Sequence, residues 1–518
     1  MPTLIARVLR GRPIAVVIKV IVLALSLSLL GSLAISALAT GELFIAAFIF
    51  LSMLLMGFTY LTNKSVPMKF FLPGMLLLVA FVVAPIVYTV SMSAFNFQTG
   101  NYTSKSNAIE IIQSQGVVPD ESGSSFDIRI GRDGSGNLQL LVTDYLAQKY
   151  FIATQDQYIE VPTDQVELDE FDVAFSAPGF TLVPEDQLPS LDKELNTYRF
   201  FYSDEYYLIP EGFDFAAVYK QSLNYDPATD TFTNLQTGEL YKDNERGNFV
   251  AESNSEEVLM PGWRAPVWFE NYVKLVNDPQ VRGPLVSVFI WTISFAFLTV
   301  LTQFAFGLLL ALALDKKLRG RRFYRTVLIL PYAVPSIMSI LIWAGMFDGE
   351  FGAINALLGT DIAWFRDGNF AKFAVLLVNL WLGFPYFYLV SSGALQAIPT
   401  ELGEAASIDG ARPIQIFSLI TLPMLLKILT PLLISSFAFN FNNFNLIYLL
   451  TGGGPRNDLE GEVAGATDIL ISYTFRIAFG AETQNLGLAS AISVVIFILV
   501  AVISLYGVRR SKVLDEFL

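Results

Sequence analysis

Two sets of neutral polar and aromatic residues sit at helical spacing inside apolar stretches of this 518-residue chain. Ser436, Phe439, Asn440 and Asn443 recur at i, i+3, i+4 and i+7 within SSFAFNFNNFN (435–445), and Asn379, Leu382, Gly383 and Tyr386 repeat the pattern. The spacing puts each set on one helical face. Amides and a hydroxyl suit a neutral polyhydroxylated ligand, and aromatic rings cover the apolar faces of a sugar. The same residues equally serve as helix glue, Asn and Ser bonding across an interface at roughly 1 kcal/mol each while Gly lets backbones approach. Both readings stand on the residues alone.

Other chemistries are closed off. The chain has no histidine and no cysteine, which removes His-based acid–base catalysis, HExxH metal sites, thiolate nucleophiles and Cys-ligated metals. It has no GxxxxGK[ST] phosphate loop, so it does not cradle ATP in that way. No catalytic residue and no metal ligand set is assigned. Acids recur through Asp226 to Glu239, but without EF-hand spacing or its Gly, and a β-hairpin with a polar turn accounts for them better than calcium.

The elements that carry the two faces are membrane spans. With 53% hydrophobic and 15% charged residues, the composition is that of a polytopic membrane protein. Runs long enough to cross about 30 Å of hydrocarbon lie at 14–40, 43–61, 70–95, 284–314, 326–347, 371–398, 424–450 and 486–508, giving eight spans. The first run resembles a signal peptide at Ala37-Leu38-Ala39 but is too long for one and reads as an uncleaved span. Lys19 near its start snorkels to the headgroups. Spans four to eight hold no ionisable residue near their centres, which argues against a proton-driven carrier. Bases gather at Arg7, Arg10 and Arg12, at Lys64 and Lys69, at Lys316, Lys317, Arg319, Arg321, Arg322 and Arg325, and at Arg509, Arg510 and Lys512. These fall on one side of eight alternating spans, which makes both termini cytoplasmic.

The net charge of −14 is segregated. Residues 96–283 hold 12 basic and 31 acidic groups, a net −19, and the remainder of the chain is +5. This is no nucleic-acid signature; the acid belongs to one region, and the alternation of spans places that region outside, as an extracytoplasmic domain between spans three and four. Runs such as NLQLLV (137–142), QYIEV (157–161) and YRFFY (198–202) predict a mainly β fold there. The organisation is then three helices over 1–95, the β domain over 96–283, a five-helix core over 284–510 and a tail over 511–518.

Two features lie near the cytoplasmic side. Pro331 and Pro335 in LPYAVPS (330–336) predict a kinked fifth span, and the kink is either a gate or an ordinary bend. The loop ELGEAASIDGARPIQIFSLITLP (401–423) reads as a helix capped by Thr400, a turn at Gly410, and a second helix opened by Pro413 and closed by Pro423. Ile416, Phe417 and Ile420 give the second helix an apolar stripe that needs a protein partner or a lipid surface, and the loop's acids, which an anionic inner leaflet repels, favour the partner.

At that loop the residues match a known pattern. Glu404-Ala405-Ala406, Asp409-Gly410-Ala411 and Ile420-Thr421-Leu422-Pro423 resemble the EAA motif of importer permeases of the ABC transporter superfamily. LPYAVPSIMSILIW, WLGFPYFYLV, and LTGGGP (450–455) followed by YTFRIAF (473–479) resemble its carbohydrate-uptake branch. The resemblance is strong over 284–510. It implies an α-helical permease in a bacterial inner membrane, moving maltose- or maltodextrin-type sugars by alternating access. It implies a second permease subunit, two ATPase subunits that hold ATP and Mg, and a soluble periplasmic binding protein as partners. The EAA residues become the coupling helix, and the two polar faces become the sugar contacts. A permease for another oligosaccharide, or a secondary carrier working without ATP, is the alternative.

Overall fold

The computed structural model describes residues 13–39, 43–61, 66–120, 123–195, 198–204, 206–315, 319–456, 463–480 and 484–510. The bases at Arg7, Arg10, Arg12, Lys64, Lys316, Lys317 and Lys512, and the tail 511–518, lie outside the described residues. The chain divides into two compact units, Met1–Ser91 and Met92–Leu518.

The first unit is three helical runs. Pro13–Ala39 is unbroken through Ala37-Leu38-Ala39 and packs on Leu43–Leu61. Val66–Leu78 continues through a π turn at Val79–Val83 into Ala84–Met92. That turn sits just ahead of Pro85, whose ring would clash with the carbonyl four residues back in an ideal helix, and the wider turn relieves it. Side chains such as Leu25, Ile35, Phe50 and Phe70 are exposed along these helices, as a lipid solvent requires.

In the second unit the helices Pro279–Asp315 and Gly368–Ala397 form the most extensive pairing. Gly307 permits it, because a Cβ there would lie 2.7 Å from the Phe387 Cβ and the Tyr388 nitrogen. The fifth apolar run is two helices, Arg321–Ala333 and Ser336–Met346, bent by 91°. Val334 between them is extended at φ −85°, ψ 134°, the conformation a following proline enforces. The seventh run also breaks. Leu422–Phe441 stops at Asn442, and Phe444–Leu450 follows. Leu486–Arg510 closes the core. Among the described residues six helices are long and apolar enough to cross a membrane, or seven with the bent pair as one span; the run at 43–61 forms a shorter apolar helix. Eight spans remain the expectation of the sequence.

Between the third and fourth runs the described residues form two antiparallel sheets of nine and five strands, and two two-stranded ribbons. In the larger, Ser125–Arg132, Leu138–Asp144, Lys149–Ala153 and Tyr158–Val161 form a meander. Phe215–Gln221, Tyr206–Pro210 and Phe200–Ser203 extend it past Ser125–Arg132. Leu138–Asp144 is buried almost throughout rather than on alternate residues. One core holds Leu140 and Val142 and another holds Leu141, so both faces of this strand are covered.

The smaller sheet runs from Leu223–Asp226 through Thr231–Asn234, Leu240–Asp243 and Phe249–Ala251 to Val258–Leu259. Asp226 accepts from the Ala228 amide and the Thr229 hydroxyl in the hairpin turn. Asp230 and Asp243 hold Lys105 at 2.5 and 2.6 Å, and the ammonium lies over the Phe249 and Trp263 rings. Burial works against charge on Asp230, but the bonds from Lys105 and Tyr225 outweigh it and hold the carboxyl below its ordinary range. Among the described residues no group of three or more His, Cys, Asp or Glu is placed to hold a metal ion.

Candidate functional site

Pro331 and Pro335 carry the broken fifth run past the facing helices Gly368–Ala397 and Leu422–Phe441, and the gap between them is a cavity of about 680 Å³. Asn379, Leu382, Gly383, Tyr386, Ser436, Phe439, Asn440 and Asn443 all line it, as do Pro331, Tyr332, Pro335 and Ser336. One element differs from the sequence reading. Asn443 is not on the helical face of Ser436, Phe439 and Asn440, because that helix ends at Phe441; it caps the next one, accepting from the Leu446 amide at 3.4 Å. Two consecutive amides, Asn442 and Asn443, break the helix, and the break turns Asn443 back into the cavity.

The amides divide their work. Asn379 donates to the Thr299 hydroxyl at 3.2 Å and to the Asn440 side-chain oxygen at 2.8 Å, and Asn440 donates to the Ser436 carbonyl at 2.8 Å. Gln303 donates to the Asn379 carbonyl at 2.6 Å. These groups are buried and tie spans four, six and seven together at one level, in a setting where an unpaired amide is costly. Gly383 is small because the Gln303 amide occupies the space a Cβ would take. Phe439, by contrast, is 70% exposed. The cavity thus has a fixed polar floor and a free aromatic wall, with Tyr386 and Tyr332 as its other rings. Thr299 and Gln303 escaped the sequence reading; their signal is a hydroxyl and an amide four apart on one face of the fourth span.

The loop at 401–423 is a second candidate. Thr400–Ile408 is helical, but its N-cap is Pro399 without a side-chain cap bond, so Thr400 lies inside the helix rather than capping it. Asp409 ends the helix and Gly410 takes φ +85°, which only glycine adopts without strain. The Gly410 and Ala411 amides donate to Ser407 and Ala406, closing the turn. Pro413 opens the next helix, and the Arg412 amide donates to the Gln415 side chain.

Pro423 does not close that helix. The chain passes through a π turn at Phe417–Thr421 directly into Leu422–Phe441, again with the widening ahead of the proline. Ile416, Phe417 and Ile420 turn partly inward, Phe417 against Leu425 and its neighbours, so they are not the exposed stripe. The most exposed large apolar residues are instead Ile408 (86%), Ile414 and Leu419 (74%). Glu404, Ala405 and Asp409 share that outer surface, while Ala406 and Ala411 are half-buried.

The LTGGGP segment is held by charge. Arg476 donates to the Gly452 and Val463 carbonyls and pairs with the fully buried Asp468 at 2.8 Å. Burial raises the Asp468 carboxyl above its ordinary range, and Arg476 draws it partly back.

A polytopic helical core around a polar cavity, with one structured loop outside it, defines a transport permease. Two family models match the chain: "Binding-protein-dependent transport system inner membrane component" over residues 303–512, and "N-terminal of TM subunit in PBP-dependent ABC transporters" over residues 76–156. The maltose/maltodextrin transport system permease protein MalF of Vibrio vulnificus is 37% identical over 470 residues, 87% of this chain and 86% of that protein. MalF of Escherichia coli K12 is 35% identical over 475 residues, 88% and 89% of the two chains. A solved bacterial ABC transporter involved in alginate import has a chain that is 21% identical at a TM-score of 0.41, covering 47% of this chain and 83% of its own. The chain belongs to the MalF family of ABC transport permeases, multi-pass proteins of the inner membrane.

Proposed function

We propose that this chain carries maltose or a maltodextrin across the inner membrane, as one of two related permease subunits driven by two partner ATPases that hold ATP and Mg. The observation that carries the reading is the cavity, in which residues chosen by spacing on two separate spans meet around one space. Its donors are neutral, its floor is braced, and its aromatic wall is free, which matches an uncharged sugar with polar edges and apolar faces.

Loop 401–423 is the coupling element. Glu404, Ala405, Ala406, Asp409, Gly410 and Ala411 seat in the ATPase, and the exposed Ile408, Ile414 and Leu419 supply the apolar contact. Closure of the ATPase pair moves the loop, the continuous helix behind it carries the motion, and the bend at Pro331 and Pro335 lets the cavity change its open side. Residues 96–283 form a periplasmic domain that meets the soluble sugar-binding protein, and both termini are cytoplasmic.

The test is reconstitution of the importer in vesicles with labelled maltose. Asn440→Ala and Tyr386→Ala should assemble with the ATPase and lose uptake. Wild-type uptake by both variants would sink the sugar site, and failure of a second permease and an ATPase to co-purify would sink the importer reading.

A further inference from the structure

The short helix Glu270–Asn277 sits immediately before the fourth span, and it is apolar on both sides. Asn271 and Leu275 face inward, Leu275 packing with Val288, Leu488 and Ile492. Phe269, Val273 and Val276, spaced i, i+4 and i+7, face outward and are exposed, with Trp268 beside them. Trp268 and Phe269 are 70% and 75% exposed, and Trp268 takes φ +53°, an outlier for so bulky a residue. The strained turn presents two rings on the surface rather than folding them in.

What lies opposite that outer face follows from what the inner side holds. Asn271 donates to the carbonyls of Ser93 and Phe95, just past the third apolar run, and Tyr272 bonds the Ser93 hydroxyl at 2.7 Å. The Val267 and Trp268 amides both donate to Ala94. Gly487, at the start of span eight, donates to Phe97 and packs against the Phe95 carbonyl. Span four begins at Pro279, one residue beyond Asp278.

One end each of spans four and eight, and the segment Ser93–Phe97 that follows the third apolar run in sequence, therefore meet at this helix, so it lies at the level of the membrane surface. Its polar edge points away from the rings, with Glu270 paired to Arg246 and Lys274. Aromatic residues with a solvated polar edge are the composition of an interfacial anchor.

We infer that Trp268, Phe269, Val273 and Val276 insert into the extracytoplasmic leaflet, and that the occupant of this face is membrane lipid. The anchor fixes the ribbon Phe95–Asn96 with Ala265–Pro266, through which the chain enters and leaves the β region. The inference rests on the membrane placement of the permease and not on which sugar it carries.

The chain has no cysteine, so single nitroxide labels are read without background. Phe269→Cys, Val273→Cys, Val276→Cys and, as reference, Asn277→Cys are labelled in the complete importer in phosphatidylethanolamine–phosphatidylglycerol vesicles. At 269, 273 and 276 dissolved oxygen should collide several-fold more often than a water-soluble nickel chelate, with the order reversed at 277. Nickel access at 269, 273 or 276 would mean a water-facing helix, and exclusion of both reagents would mean a protein partner; either overturns the inference. Uptake by the labelled importers, measured in parallel, keeps this result separate from the sugar reading.

Discussion

Asn379 spends both hydrogens of its amide on Thr299 and Asn440, whereas Phe439 holds nothing and faces open space. Their removal should separate packing from binding. Asn379→Ala leaves two groups, the Thr299 hydroxyl and the Asn440 side-chain oxygen, short of a donor and should destabilise the complex by about 0.6–2 kcal/mol, read as a lower melting temperature in detergent, with uptake also reduced. Phe439→Ala should leave the melting temperature unchanged and raise the half-saturating sugar concentration about tenfold, equivalent to about 1.4 kcal/mol. Equal melting losses in both variants would mean that the ring is packing too. Spacing alone brought these residues together on paper because helical periodicity reports which side chains share a face. It does not report what that face meets. Gln303 and Thr299 were hidden for that reason, and the helix break that frees Asn443 was hidden because two successive Asn residues read equally well as helix surface.

Gly410 at φ +85° and the uninterrupted helix behind it make the loop a lever at the scale of elements. Proline at 410 is fixed at a φ of about −65° and cannot reach that value, and it removes the amide that bonds to Ser407. Gly410→Pro should therefore abolish sugar-stimulated ATP hydrolysis in vesicles while the loaded binding protein still docks. Ile408→Asp changes no internal contact, since the side chain is 86% exposed, and it should weaken co-purification of the ATPase without altering the fold. An Ile408→Asp importer that assembles as wild type would remove this surface from the coupling contact. The turn, its glycine and the opening proline at 413 were legible in the sequence. The end at Pro423 was not: a proline two residues into a helix and a proline that stops one look alike, and the π turn that decides between them leaves no residue signature.

The charge segregation of the whole chain carries the last prediction. Short loops rich in Lys and Arg are held back and set the orientation of eight alternating spans, so residues 96–283 should lie outside and loop 401–423 inside. A membrane-impermeant maleimide tests this in intact spheroplasts, again without background from native cysteine. Leu146→Cys, at a fully exposed hairpin tip of the larger sheet, should be labelled at once. Ile408→Cys should react only after permeabilisation, and more slowly when the ATPase is bound. Labelling of both from outside would place the loop beyond reach of any cytoplasmic ATPase and end the coupling argument, whatever the cavity binds. The class of fold was legible at this scale because apolar length and charge sign are summed over tens of residues, where single exceptions cancel. A kink at Pro331 and Pro335 was expected from the prolines, but its 91° angle and the π turns were not, because each depends on one or two backbone angles that no sum over composition retains.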